Sequence, residues 1–75
     1  LLNSPFVLRM SAALAERAQS EDSSTEKQVI WMFRQVLGRP PAADELAAAV
    51  ALSEKHGAVA VARGLFNSSE FVTVR

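Results

Sequence analysis

"SSTEKQVIWMFRQVLGRPP", residues 23–41, is the stretch on which the fold class turns. Val29, Ile30, Met32, Phe33, Val36 and Leu37 recur at three- and four-residue steps, so a helix gathers them into one wide apolar arc. Its start is signalled twice. Ser23 and Glu26 have capping-box spacing, in which the hydroxyl accepts from the third backbone amide and the carboxylate reaches back, and Ser24 is a competing cap. Its end is Gly38, a residue that enters the left-handed conformation freely. Pro40 and Pro41 lack amide donors and restrict the residues before them, so the helix cannot continue. This is the strongest core helix of the chain.

Upstream, Ser4-Pro5 pairs a favoured N-cap with a proline suited to the first helical position. Phe6, Val7, Met10, Ala13, Leu14 and Arg17 follow at helical steps, with Arg9 and Glu16 on the opposite side. The pattern predicts a helix ending near Ala18 or Gln19, then a polar loop over 20–24. Downstream, a third helix begins near Ala43, with Asp44 and Glu45 facing the positive end of its dipole, and stops at Gly57 after His56. Its inward positions, Leu46, Ala49, Val50, Leu52 and Ser53, make a shallow stripe. A fourth helix runs from about Ala58 to Phe66 with Val59, Ala62, Leu65 and Phe66 inward.

Composition limits the rest. In 75 residues there is room for one small core, and 49% hydrophobic residues, many of them alanine, favour close helix contacts over a thick core. Without cysteine no disulfide forms, and one histidine offers no zinc constellation, so packing alone holds the fold. Eight basic and eight acidic residues cancel, with neither sign in a run, and no basic stripe marks a phosphate-binding surface. No apolar stretch is long enough to span a bilayer, and no signal peptide stands at the start. The chain opens on Leu1 in mid-phrase, which reads as a fragment of a larger protein, residues 1–75 forming a single helical domain.

"LLNSPFV" at 1–7 and "LFNSSEFV" at 65–72 say nearly the same thing. In the second, Asn67 closes one helix in the left-handed conformation and Ser68 caps the next turn, which carries Phe71 and Val72 inward. In the first, Leu1-Leu2 reads as the tail of an upstream helix, stopped at Asn3 and followed by the Ser4 cap. The repeat is of a joint rather than of a domain, since the segments between do not match. Together with "LGRPP" at 37–41 and "DEL" at 44–46, these phrases resemble a known family: the C-terminal part of the planctomycete-specific surface-protein domain of unknown function that accompanies planctomycete cytochrome-c-type domains. The resemblance implies a large exported bacterial protein, hence an extracytoplasmic location at the periplasm or cell surface, whose other domains carry haem. This chain has no Cys-x-x-Cys-His and takes no share in that chemistry. It departs from the pattern where the family places a capping residue and proline before the third helix, here Ala42 and Ala43, which implies a frayed start. It departs again at Ala58 and Ala60, where the family has an aromatic residue and an acid.

The candidate site residues are few. Trp31 falls away from the apolar arc among Lys27, Gln28, Arg34 and Gln35, and a large ring beside Lys27 and Arg34 can anchor a partner; burial against another helix is the plainer use. His56 suits the negative end of the third helix, while a haem-ligand role with Met10 or Met32, or a base role with Asp44 or Glu54, lacks a convergent cluster. Ser68 and Ser69 have no nucleophile elbow and read as caps. Arg39 holds carboxylates or helix-end carbonyls and ties the second helix to the third. Helix-turn-helix DNA binding is the least favoured alternative, since the following helix offers Glu45, Ala47, Ala48 and Ala51 where a DNA reader needs basic and polar groups.

These readings give an all-α fold, a small bundle of about four helices with short capped turns. No catalytic, cofactor-binding or metal residue is assigned, and no cofactor. The expected role is non-catalytic: a packing or protein-interaction module whose partners are other domains of the parent or another protein, with no nucleic acid and no membrane insertion. An accessory subdomain lining an active or redox site built elsewhere in the parent is the alternative. The expected core is Phe6, Met10, Leu14, Val29, Phe33, Val36, Leu37, Leu46, Val50, Leu65 and Phe71.

Overall fold

The computed structural model describes residues 4–68, which fold into four helices and no strand: α1 (Pro5–Glu21), α2 (Thr25–Leu37), α3 (Ala43–His56) and α4 (Ala58–Phe66). Leu1, Leu2 and Asn3 at one end, and Ser69, Phe71 and Val72 at the other, lie outside the described residues. The small all-α bundle that the sequence predicts is therefore the fold. Both α2 and α4 touch all three other helices, whereas α1 and α3 do not touch each other, so α1 and α3 flank a central α2–α4 pair.

Each boundary has a chemical cause. The Ser4 hydroxyl accepts from the Val7 amide at 3.2 Å, and Pro5 occupies the first turn of α1. The helix runs to Glu21, beyond the predicted end near Ala18 or Gln19, because polarity alone does not stop a helix. It ends where Asp22 turns extended, its amide still donating to the Ala18 carbonyl at 3.2 Å. Across this joint the Gln28 side-chain amide donates to the Asp22 carbonyl at 2.8 Å, and the Ser24 amide donates to the Asp22 carboxylate at 3.0 Å. Of the two competing serines, Ser24 caps α2, accepting from the Lys27 amide at 3.4 Å. Gly38 closes α2 at φ 73°, as the sequence predicts. Gly57 alone joins α3 to α4 at φ 91° and ψ 162°, a region in which a side chain is strained.

The core is built from Val29, Met32 and Phe33 of α2, Ala58, Val61, Ala62, Leu65 and Phe66 of α4, and Val7, Ala15 and Ala18 of α1. Among the expected core residues Val29, Phe33 and Leu65 are buried, while Met10, Leu14, Val36, Leu37, Leu46 and Val50 are half-buried and Phe71 lies outside the described residues. Phe6 is the clear correction: it is 60% exposed. The face that α1 buries is Val7, Ser11, Ala15 and Ala18, one residue around from Phe6, Met10 and Leu14, hence turned by about 100°. Ser11 is fully buried because its hydroxyl donates to the Val7 carbonyl at 2.8 Å, leaving a small and satisfied side chain against the neighbouring helix.

In α3 no residue is fully buried, which fits the shallow stripe read from its alanines. Leu52 and Val59, both expected inward, are 38% and 37% exposed. Asn67 is a further correction, since it sits at φ −97° rather than in the left-handed region. Both its backbone amide, at 3.1 Å, and its side-chain amide, at 3.0 Å, donate to the Arg63 carbonyl. A side-chain donor thus closes the helix without a positive φ.

Candidate functional site

Trp31 stands on the side of α2 next to the buried arc. Its ring is half-buried, packed against the core cluster, and the Arg17 guanidinium from α1 lies over it at 5.7 Å from the ring centre. That contact joins a cation to the electron-rich ring face and links α1 to α2. Lys27 and Arg34 are exposed and lie four residues before and three after Trp31, which places them on its side of the helix. The result is a partly exposed ring with three cations around it. The sequence reading placed Arg17 on the apolar stripe of α1 and did not foresee it as the cover of Trp31. A signal was present, for an arginine on an apolar face has an aliphatic stem to bury and a charge to place.

A second cluster holds the turn between α2 and α3. The Arg39 guanidinium donates to both carboxylate oxygens of Glu45, at 2.8 and 3.0 Å, and to the Pro40 carbonyl at 2.9 Å, while lying over the Phe33 ring at 5.9 Å. Glu45 also accepts from the Ala42 amide at 2.8 Å. The start of α3, expected to fray for want of a capping side chain, is thus fastened by the half of a capping box that comes from within the helix. The Arg39 hydrogen bonds, then the Ala42 amide, lower the Glu45 pKa from 4.5 to about 2. Both side chains remain a little over one-third exposed, so solvent screens the pair. Arg39 ties α2 to α3 as its position predicts.

His56, exposed in the last turn of α3, lines a surface groove with Leu52, Val59 and Arg63. Asp44 is twelve residues back along the same helix, about 18 Å away, and Glu54 is two residues back on a different side, so neither forms a pair with it. Met32 is fully enclosed in the core, which keeps its sulfur from a surface histidine. Ser68 donates its backbone amide to the Leu65 carbonyl at 3.1 Å, ending α4. Among the described residues no three of His, Cys, Asp or Glu gather as metal ligands would, and no helix is long and apolar enough to cross a membrane.

Neither a curated protein nor a solved structure matches the chain. A family model does match, over residues 1–53, which takes in α1, α2, the Arg39–Glu45 turn and most of α3. The "LFNSSEF" phrase at 65–71 lies beyond the matched residues. Since the match covers well over half of the 75 residues, the chain belongs to the PSD1 family of proteins of unknown function (DUF1553).

Proposed function

We propose that the chain is a non-catalytic helical module that packs against, or binds, other protein surfaces within a larger exported bacterial protein. The parent's planctomycete origin, the C-terminal place of the module and its extracytoplasmic location rest on the sequence resemblance. What supports an interaction role is the clustering of exposed apolar side chains. Leu52 of α3 and Val59 of α4, both exposed, share one groove between those helices. Grouped exposure of this kind marks a surface that another molecule covers, whereas single exposed residues are ordinary.

Trp31, with Lys27 and Arg34, is a candidate contact of this module. Its ring face is already covered by Arg17, so a partner there either displaces the guanidinium or uses the ring edge. Co-elution of the chain with the remaining domains of the parent on size exclusion tests the role. The emission and iodide quenching of Trp31, in a chain with no other tryptophan and no tyrosine, report which face is used. A complex with Trp31 shifted to the blue and protected from iodide supports docking through α2. Failure to co-elute with any parental domain, at concentrations far above those of a specific complex, overturns the module reading.

A further inference from the structure

We propose that the groove between α3 and α4 is a docking surface whose occupant is an apolar helical segment bearing a carboxylate beside its hydrophobic ridge. The proposal rests on the interaction-module reading and adds to it a face and the chemistry of the partner.

The groove has two sections that meet at Leu52 and Gly64, residues that line both. The section nearer Gly57, of about 510 Å³, carries Val59, His56 and Arg63; the other, of about 280 Å³, carries Phe33, Ala49 and Leu65, with Glu45 at its margin. From Glu45 to His56 the wall formed by α3 is twelve residues long, about 16 Å or three helical turns. The smaller section is almost wholly apolar, and the larger sets the exposed Leu52 and Val59 beside the polar His56, Arg63 and Asn67. Such a surface accepts the apolar face of one short helix.

Charge selects among helices. No acid lines the larger section, and neither Arg63 nor His56 forms an ion pair within the described residues. Glu45 is the charged residue of the smaller section, and its oxygens are already occupied by Arg39 and the Ala42 amide. An incoming carboxylate therefore meets a cation that has no acid partner among the described residues, while an incoming lysine meets only a neutralised acid. A second copy of this chain fits poorly. Its exposed apolar residues Phe6 and Leu8 are two positions apart on α1 and point to nearly opposite sides of that helix, so they present no ridge to fill the groove.

Gly64 supplies the test. It is helical, and a Cβ added there meets nothing within 4 Å, so a larger side chain rises into the groove without disturbing the bundle. The probes are fluorescein-labelled Leu/Ala peptides of about 11 residues, roughly three turns, with Glu, Gln or Lys at one position beside the ridge. Anisotropy with the 75-residue chain reads the binding. The Glu peptide is expected to bind best, the Gln peptide about three- to fivefold more weakly and the Lys peptide at least about tenfold more weakly, with the differences shrinking at about 0.5 M salt. Arg63→Glu reverses the order, and Gly64→Leu abolishes binding while the helical circular dichroism stays unchanged. Equal affinity for all three peptides, or binding that survives Gly64→Leu, overturns the proposal. So does dimerisation of the chain alone that Gly64→Leu abolishes, for the occupant is then a second copy. Co-elution with parental domains that survives Gly64→Leu keeps the module reading and removes the groove; absence of both co-elution and peptide binding removes both.

Discussion

Ala62 of α4 and Ala18 of α1 are both fully buried, and α1 and α4 form the most extensive helix contact of the bundle. Both alanines belong to one buried cluster, where a side chain no larger than methyl lets neighbouring helices approach closely. Ala62→Leu places an isobutyl group where no space remains, which either pushes a neighbouring helix outward or forces strained rotamers. Overpacking of this kind costs about 1–3 kcal/mol. The whole stability of a chain of this size is about 4–11 kcal/mol, so the change removes a large fraction of it. At about 4–8 °C per kcal/mol for a small domain, the expected fall in Tm is between about 4 and 24 °C. Ala47→Leu is the control, because Ala47 is exposed on α3 and the same chemistry there changes stability by less than about 0.5 kcal/mol. Thermal and urea unfolding followed by circular dichroism at the helical band give both numbers. If Ala62→Leu unfolds at the same temperature and urea midpoint as the unsubstituted chain, Ala62 is not enclosed in the core, and the account of the buried α4 face fails with it.

Phe33→Ala is expected to cost about 3–5 kcal/mol, whereas Phe6→Ala changes stability by less than about 0.5 kcal/mol, because one ring is buried and the other is mostly in water. Similar urea midpoints for the two variants would refute this. Ser24→Ala lowers stability by about 1 kcal/mol and Ser23→Ala leaves it nearly unchanged, since Ser24 is the cap of α2; the reverse order would place the cap at Ser23. Glu45, with its folded pKa depressed to about 2 from 4.5, contributes stability that is fully present above pH 4.5 and is lost as the pH falls towards 2. The difference in urea midpoint between the chain and Glu45→Gln should therefore close across that window. A difference that stays constant down to pH 2 would show that the Arg39 contact does not depend on the charge.

Helix existence and most boundaries were legible because each rests on chemistry local to a few residues. Ser4-Pro5, Gly38, the two prolines and Gly57 fix four ends through caps, missing donors and permitted φ values, and the structure places α3 and α4 where those signals put them. The buried arc of α2 was legible for a related reason, since six large apolar residues within nine positions leave one side to bury. What periodicity misjudged was the rotation of α1, because a reading weighted by hydrophobicity follows Phe6, Met10 and Leu14 and counts Ser11, Ala15 and Ala18 as little. Two helices in contact reward small side chains at the crossing, since these permit close approach, and α4 brings large apolar residues of its own. The choice between Phe6 and Val7 as the inward residue is therefore made by the partner helix and does not reside in α1.

The proposed docking surface was hidden by the same mechanism. Val59 and Val61 are two positions apart on a helix whose residues are nearly all apolar, and nothing local says which faces the core; packing within the bundle turns Val61 inward and leaves Val59 at 37% exposure. That rotation places Arg63, four residues after Val59, on the same exposed side, and the one-residue Gly57 joint brings His56 of α3 beside it. A cationic and apolar groove thus arises from residues that, read singly, pass for core valine, helix-end histidine and ordinary surface arginine. Since the groove depends on the α3–α4 angle, and Gly57 sets that angle at φ 91°, Gly57 joins the two halves of the proposed docking surface as directly as any residue that lines it.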